Sequence, residues 1–275
     1  MREDDLRWIK INKLLPDFNV IYFDEIDSTN NYAKNLIRSN DLLPDNTLII
    51  ADCQTAGRGR TGHKFVSPHG TGIYLTLILN LNLNKNFQLV TIAAAAAVCI
   101  ALEKFIDLNK KLPLIKWVND IFICNKLNKS AKKVCGILAE AVTGKDNKLN
   151  KIIAGIGINI WPHKFAAELS QAGSVFDDFN DNVTRAEIAA EIVKNLAGFA
   201  VKLDDYKIIE NYRARMIFNT PFHSGGISYL CDNKKYCGHV IDVAQDGGLI
   251  VSDKNVNDNL ITLRSGEVFE IRELN

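Results

Sequence analysis

This 275-residue sequence has no segment that would carry it across a membrane. Its longest unbroken apolar run, Ile92 to Leu102, falls well short of the roughly 18 residues a membrane helix needs. The N-terminus, Met1-Arg2-Glu3-Asp4-Asp5, has no apolar core of the kind a secretion signal requires. No charge of one sign dominates: Lys and Arg total 33 against 32 for Asp and Glu, a formal net charge of +1. That balance removes any overall pull towards nucleic acid or an anionic membrane. Cysteine is scarce. The six, at positions 53, 99, 124, 135, 231 and 237, form no Cys-x-x-Cys and no zinc-module spacing, and they are too few for a disulfide framework. No repeat of solenoid or propeller period is present. Together these absences predict a cytosolic chain with reduced thiols. What is there is a core: 47% hydrophobic and 24% charged residues are the balance of a globular protein, with room for one large domain and a small one.

The pattern predicts an α+β protein, with a mostly antiparallel or mixed sheet flanked by helices. Ile21–Ile26 reads as a strand, followed by a helix capped at Ser28 with Tyr32, Ala33, Leu36 and Ile37 on one face. Thr47–Ala51 and Ile73–Leu83 read as strands on either side of a loop from Cys53 to Gly72, and Phe87–Phe105, built around five alanines, as a helix. Strands are then predicted at Leu114–Trp117, Ile121–Cys124, Val134–Val142 and Lys151–Ile160, the last two joined by a turn at Gly144-Lys145-Asp146-Asn147. Thr184 and Glu187 form a capping box for a helix to about Leu203, and a further helix covers Tyr206–Ile217. From Thr220 on, Gly225-Gly226, Asp232-Asn233 and Gly247-Gly248 punctuate short β-branched segments. Two domains follow, 1–219 and a small β-barrel at 220–275, with the boundary near Asn219.

The loop Gly57-Arg58-Gly59-Arg60-Thr61-Gly62 matches G-x-G-x-x-G by letter. A dinucleotide fingerprint needs a helix after the glycines and an acid about 20 residues on. Pro68 forbids the helix and Thr76–Asn86 contains no Asp or Glu, so that reading fails. Three glycines that let backbone N–H groups approach closely, two guanidinium groups and Lys64 instead predict an anion site. The loop alone does not name the anion.

Six segments in order resemble the biotin protein ligase family, the biotin–[acetyl-CoA-carboxylase] ligases. They are Asp27-Ser28-Thr29-Asn30; Gln54-Thr55-Ala56 running into the Gly-Arg loop; Ser67-Pro68; Lys116-Trp117-Val118-Asn119-Asp120; Lys133 to Glu140; and Gly155-Ile156-Gly157-Ile158-Asn159. The likeness is strong over roughly Ile21–Ile160. It implies activation of biotin with ATP and Mg2+ to biotinyl-5′-AMP, then transfer to the ε-amine of a lysine on a biotin carboxyl carrier domain. It also implies a catalytic core like that of class II aminoacyl-tRNA synthetases, an SH3-like C-terminal barrel, and the possibility of a homodimer.

Joining a carboxylate to a triphosphate demands clustered positive charge. Lys104–Lys133 holds eight lysines against Asp107 and Asp120, of which Lys116 and Lys133 sit at the edges of apolar strands. With Arg58, Arg60 and Lys64 they can form that cluster. By resemblance Lys133 contacts the biotin carboxylate and the α-phosphate. Ser28, Thr29, Asn30 and Gln54, with backbone from Arg58 through Gly59 to Arg60, recognise the ureido ring, and Gly136 permits close approach. Lys64, Phe65, Lys116, Asn119 and Asn159 belong to the nucleotide side. Asp120 is the acid that would hold Mg2+ or orient and deprotonate the incoming lysine. Phe65 stands where a Trp is usual, and Val118 where a Pro is frequent. Glu140 is expected outside direct contact, and all six cysteines and the histidines other than His63 to be structural or incidental.

A lipoate or octanoate protein ligase is the nearest rival; its longer slot would lack ureido partners. A ligand-sensing repressor would need a helix-turn-helix, and Met1–Val20 is too short for one. The near-neutral 220–275 segment gives little support to a nucleic-acid module.

Overall fold

The computed structural model describes residues 10–39, 43–44, 46–79, 88–143, 149–203, 206–218, 220–231, 234–253, 259–264 and 268–273. The predicted turn at Gly144–Asn147, the predicted boundary at Asn219, the Asp232-Asn233 turn and the predicted strand beyond Leu79 lie outside them.

A seven-stranded sheet forms the centre. In chain order its strands are β1 (Asn19–Ile26), β2 (Thr47–Gln54), β3 (Gly72–Leu79), β4 (Lys111–Lys116), β5 (Asp120–Asn125), β6 (Ala131–Thr143) and β7 (Leu149–Asn159). They lie in the order β1-β2-β3-β7-β6-β5-β4, parallel only between β1 and β2. The mixed, mostly antiparallel sheet expected from sequence is therefore present. Helices α2 (Thr29–Ser39), α3 (Gln88–Glu103), α4 (Arg185–Val201) and α5 (Tyr206–Arg213) flank it, after a one-turn α1 (Ile11–Leu14).

Strand side chains alternate between faces, and the two faces have different partners. On β7, Ile152, Ala154, Ile156 and Ile158 join the large core with α3 and α4, whereas Ile153 joins a smaller cluster with Ala33 and Ile37 of α2. Helix α3 is apolar all round and buried all round, which places it inside the molecule rather than on its surface. Its alanines leave no room to grow, so Ala95→Leu would cost about 1–3 kcal/mol by overpacking. The predicted capping box is formed: Glu187 N donates to Thr184 Oγ1 at 3.1 Å and Thr184 N to Glu187 Oε2 at 3.0 Å.

One predicted helix is shorter than its pattern. The apolar spacing of Tyr206–Ile217 is helical throughout, yet α5 stops at Arg213. The chain then turns, and Met216 makes a single parallel bridge to the edge of β4, with Ile115 N donating to Arg215 O (2.7 Å) and Ile217 N to Ile115 O (2.9 Å). Bonding to a strand edge outweighs the local helical preference, which is weak.

After these elements the chain forms a second sheet, all antiparallel: β8 (Gly226–Cys231), β9 (Lys234–Val243), β10 (Leu249–Asp253), β11 (Asn259–Leu263) and β12 (Val268–Glu273), in the order β11-β10-β9-β8-β12. It docks through the turn before β10. Gly247 has φ +84°, and its carbonyl accepts from Trp117 Nε1 (2.9 Å) and Gln88 Nε2 (3.0 Å). Arg213 adds a bond to Val243 O and an ion pair with Asp242. No helix among the described residues is long and apolar enough to cross a membrane.

Candidate functional site

A cavity of about 780 Å³ opens on the α2 side of the sheet. That volume suits a small organic ligand. Every residue singled out from sequence lines it except Asn159: Ser28, Thr29 and Asn30 at the start of α2, Gln54 at the end of β2, Arg58 to Arg60, Lys64 and Phe65 from the loop, Lys116, Asn119 and Asp120 around the β4–β5 turn, and Lys133 and Gly136 on β6. Asn159 is buried, and its Nδ2 donates to Gly173 O at 3.1 Å. It closes a strand end against a neighbouring loop instead of facing the cavity.

The floor is bare backbone, and the Gly155-Ile156-Gly157 segment explains why. Ile156 joins the core, so both glycines face the opposite side of the sheet from it. A Cβ at Gly155 would stand 2.1 Å from Asn30 Oδ1, and one at Gly157 2.7 Å from Phe65 Cε1. Helix α2 and the loop aromatic therefore press directly onto the strand. Gly136, the register partner of Gly157, has room for a Cβ at 3.6 Å from the Phe65 ring. Neither the Asn30 seat nor the Phe65 seat was identified from sequence, although the spaced glycines on an apolar strand were the signal.

One wall is a polar network that fixes orientations. Thr29 N donates to Gln54 Oε1 (2.9 Å), so Gln54 Nε2 faces Ser67 Oγ (3.0 Å), and the amide has one sense. Ser67 Oγ in turn donates to Phe65 O (3.1 Å). Thr76, fully buried beneath α2, has one hydroxyl proton for two acceptors, Asn30 Oδ1 at 2.6 Å and Thr29 Oγ1 at 2.8 Å, which couples the two residues. Asn30 Nδ2 donates to Glu140 Oε2 (2.9 Å) and Leu138 O (3.2 Å). Glu140 thus lies behind the lining residues, as expected, pairing with Lys34 at 2.5 Å and with Arg58 at 3.5 Å.

The opposite wall is cationic. Arg58, Arg60, Lys64, Lys116 and Lys133 line the cavity against Asp120 and Glu168. Asn119 is held to β6 by Nδ2 donating to Ile137 O (3.0 Å) and accepts Arg60 Nη1 on its Oδ1 (3.0 Å). Burial works against the Arg60 charge and lowers its pKa, while Asp120 opposes that fall. Lys133 Nζ pairs with Asp120 Oδ2 at 2.7 Å. The loop itself is a braced hairpin: Gly59 N donates to His63 O (2.7 Å) and Phe65 N to Gly57 O (2.9 Å). Such a site can hold an anion over an apolar floor, with fixed donors and acceptors at one end. Leu230 of β8 also reaches the cavity, a contribution the sequence gave no sign of.

The model of the biotin/lipoate A/B protein ligase family matches residues 22–159, half of the chain. The bifunctional ligase/repressor BirA of Bacillus subtilis is 36% identical over 179 residues, which is 64% of this chain and 51% of that protein. The chain therefore spans about half the length of that relative. BirA of Salmonella typhimurium is 25% identical over 266 residues, 94% of this chain and 78% of that one. Among solved structures, the biotin protein ligase from Aquifex aeolicus in complex with biotin and ATP has a TM-score of 0.71 at 25% identity, covering 93% of this chain and 99% of its own. The chain is a member of the biotin/lipoate A/B protein ligase family.

Proposed function

We propose that this protein is a biotin protein ligase of the biotin–[acetyl-CoA-carboxylase] ligase type. It joins biotin to ATP as biotinyl-5′-AMP with release of pyrophosphate, and transfers the biotinyl group to a lysine ε-amine on a biotin carboxyl carrier domain. The observation that carries this reading is convergence: Lys133 and the Gly57–Gly70 loop, far apart in sequence, line one cavity with the Thr29–Gln54–Ser67 network. The Aquifex aeolicus protein, similar over nearly the whole chain, was solved with biotin and ATP.

In this reading Ser28, Thr29, Asn30 and Gln54 hold the ureido ring at the networked end. Arg58, Arg60 and Lys133 bring the biotin carboxylate and the α-phosphate together and stabilise the charge that builds at phosphorus. Phe65 offers its ring to adenine, and Lys64, Lys116 and Asn119 hold the triphosphate side. Asp120 supplies one carboxylate, which suits Mg2+, an ion commonly held by one or two carboxylates together with substrate phosphates. When bound, that ion would neutralise triphosphate charge. Free of it, Asp120 is placed to orient the attacking lysine amine. We read the second sheet as part of an SH3-like barrel domain over 220–275, with 1–219 as the catalytic domain. The enzyme acts in the cytoplasm.

The test is the first half-reaction. Biotin should drive exchange of labelled pyrophosphate into ATP, and lipoate or octanoate should not. Exchange driven by lipoate and not by biotin would transfer the assignment to the lipoate branch.

A further inference from the structure

Outside the cavity, at the ends of β1 and β2, three side chains that can ligate a metal meet. Glu25 and Cys53 are register partners on this parallel pair, so their side chains lie next to each other. His69, in the turn that leads into β3, brings its Nε2 to 3.6 Å from Glu25 Oε2. The Glu25 carboxylate, Cys53 Sγ and His69 imidazole offer ligand atoms all within 4.8 Å of one another. A tetrahedral zinc site with bonds of 2.0–2.3 Å spaces its ligands about 3.3–3.8 Å apart, so closure needs a shift of at most about 1.5 Å in any ligand pair.

The imidazole is also set in the right sense. Its Nδ1 lies 3.0 Å from Asp52 Oδ2, which also accepts Gly70 N at 3.1 Å. Asp52 is itself 3% exposed and takes Arg185 Nη1 on its other oxygen. A histidine whose Nδ1 is held by an anchored carboxylate turns the Nε2 lone pair outward, the arrangement found behind metal-bound histidines. Asp24, Asp52 and His69 form a second possible set, but Asp52 is already committed to Arg185 and the set lacks a thiol. With Asp52 offset by Arg185, Asp24 and Glu25 leave this corner a negative excess that a dication would balance.

We propose that Glu25, Cys53 and His69 form a binding site for a divalent transition metal of the zinc type, with a fourth position open to water. The Cys53 thiol gives up its proton to solvent and binds as thiolate. The sequence concealed the site because its ligands come from three segments with none of the usual spacing. Bound metal would pin the far end of the Gly57–Gly70 loop, since His69 follows two residues after Ser67, which holds Gln54. The site does not depend on the proposed ligase activity.

The probe is Zn2+ alone, added to the full chain and followed by dialysis and metal analysis, with Co2+ as the spectroscopic substitute. Wild type should keep one zinc per chain, and Cys53→Ser and His69→Gln, which remove direct ligands, should each weaken binding by about 100-fold or more, beyond the cost of losing an outer partner. Cobalt should give a thiolate charge-transfer band in wild type and in Cys237→Ser, and none in Cys53→Ser. An independent readout needs no variant: zinc should slow alkylation of Cys53 about tenfold or more, the reactive species being the thiolate that the metal occupies, and leave Cys237 unaffected. Absence of retained zinc in wild type, retention by Cys53→Ser and His69→Gln as strong as in wild type, or equal alkylation of Cys53 with and without zinc would overturn the proposal.

Discussion

Lys133 Nζ lies 2.7 Å from Asp120 Oδ2, bridging β6 and the start of β5. Both side chains are partly open to solvent, at 38% and 26% exposure. A pair this exposed contributes little to stability, so a double-mutant cycle with Lys133→Met and Asp120→Asn should give a coupling of about 1 kcal/mol or less in urea unfolding. Its weight lies in the chemistry. Lys133→Ala should slow biotin-dependent pyrophosphate exchange by about 10²- to 10³-fold, the scale of removing one fixed donor from a developing negative charge. Near-normal exchange would remove Lys133 from the reaction.

Asp120→Asn leaves the Lys133 cation in place and removes a carboxylate suited to the amine. Transfer from preformed biotinyl-5′-AMP to a carrier lysine should fall by about 10²-fold or more, the range of acid–base assistance. Adenylate formation should fall less. Single-turnover measurements of the two steps separate these outcomes; an equal loss in both would assign Asp120 to the nucleotide instead.

The glycine floor predicts a graded series. A Cβ at Gly157 collides with Phe65 and one at Gly155 with Asn30, whereas Gly136 has ordinary van der Waals room. Gly155→Ala and Gly157→Ala should each cost about 1–3 kcal/mol from overpacking and weaken ligand binding. Gly136→Ala should be tolerated. Thermal melts with and without ligand rank the three.

Phe65 lines the cavity and, in the proposed reading, offers its ring to adenine. Phe65→Ala should cost about 1–3 kcal/mol of nucleotide binding, the worth of stacking a base on an aromatic ring. The expected readout is a raised KM for ATP with a smaller change in that for biotin.

Trp117 shows what the sequence concealed. It sits inside the recognisable Lys116-Trp117-Val118-Asn119-Asp120 segment, yet its Nε1 donates to Gly247 O of the second sheet, 130 residues away. The bond is buried, so Trp117→Phe should lower unfolding free energy by about 1 kcal/mol, measured by the urea midpoint. No local pattern could have paired these two residues. The same holds for Asn30 with Glu140 and for Thr76 beneath α2, whose partners lie 46 to 110 positions apart.

What the sequence did make legible is of two kinds. Helical periodicity located α2, while β2, β3 and the all-round buried α3 were legible as continuous apolar runs bounded by turn residues and told apart by length. The Gly-Arg loop was readable from its glycines and guanidinium groups, and Lys133 from its place at the edge of an apolar strand and from the family resemblance; both line the cavity. Asn159 marks the limit of such reading: a polar residue at a strand end fits a ligand or a buried bond equally well, and here Nδ2 donates to Gly173 O while the buried Oδ1 has no hydrogen-bond partner among the described residues. The end of α5 was missed because Met216 and Ile217 continue the helical spacing while the Arg215 carbonyl and the Ile217 N–H on either side of Met216 serve β4.

The central claim is that one cavity joins a vitamin carboxylate to a nucleotide and passes it on. Its most direct test mixes the protein with biotin, Mg-ATP and a biotin carboxyl carrier domain and weighs the carrier by mass spectrometry. One biotinyl group on a single carrier lysine, dependent on ATP and lost with Lys133→Ala, is the predicted result. A carrier left unmodified by active, folded protein, or one acylated with lipoate in preference to biotin, would contradict it.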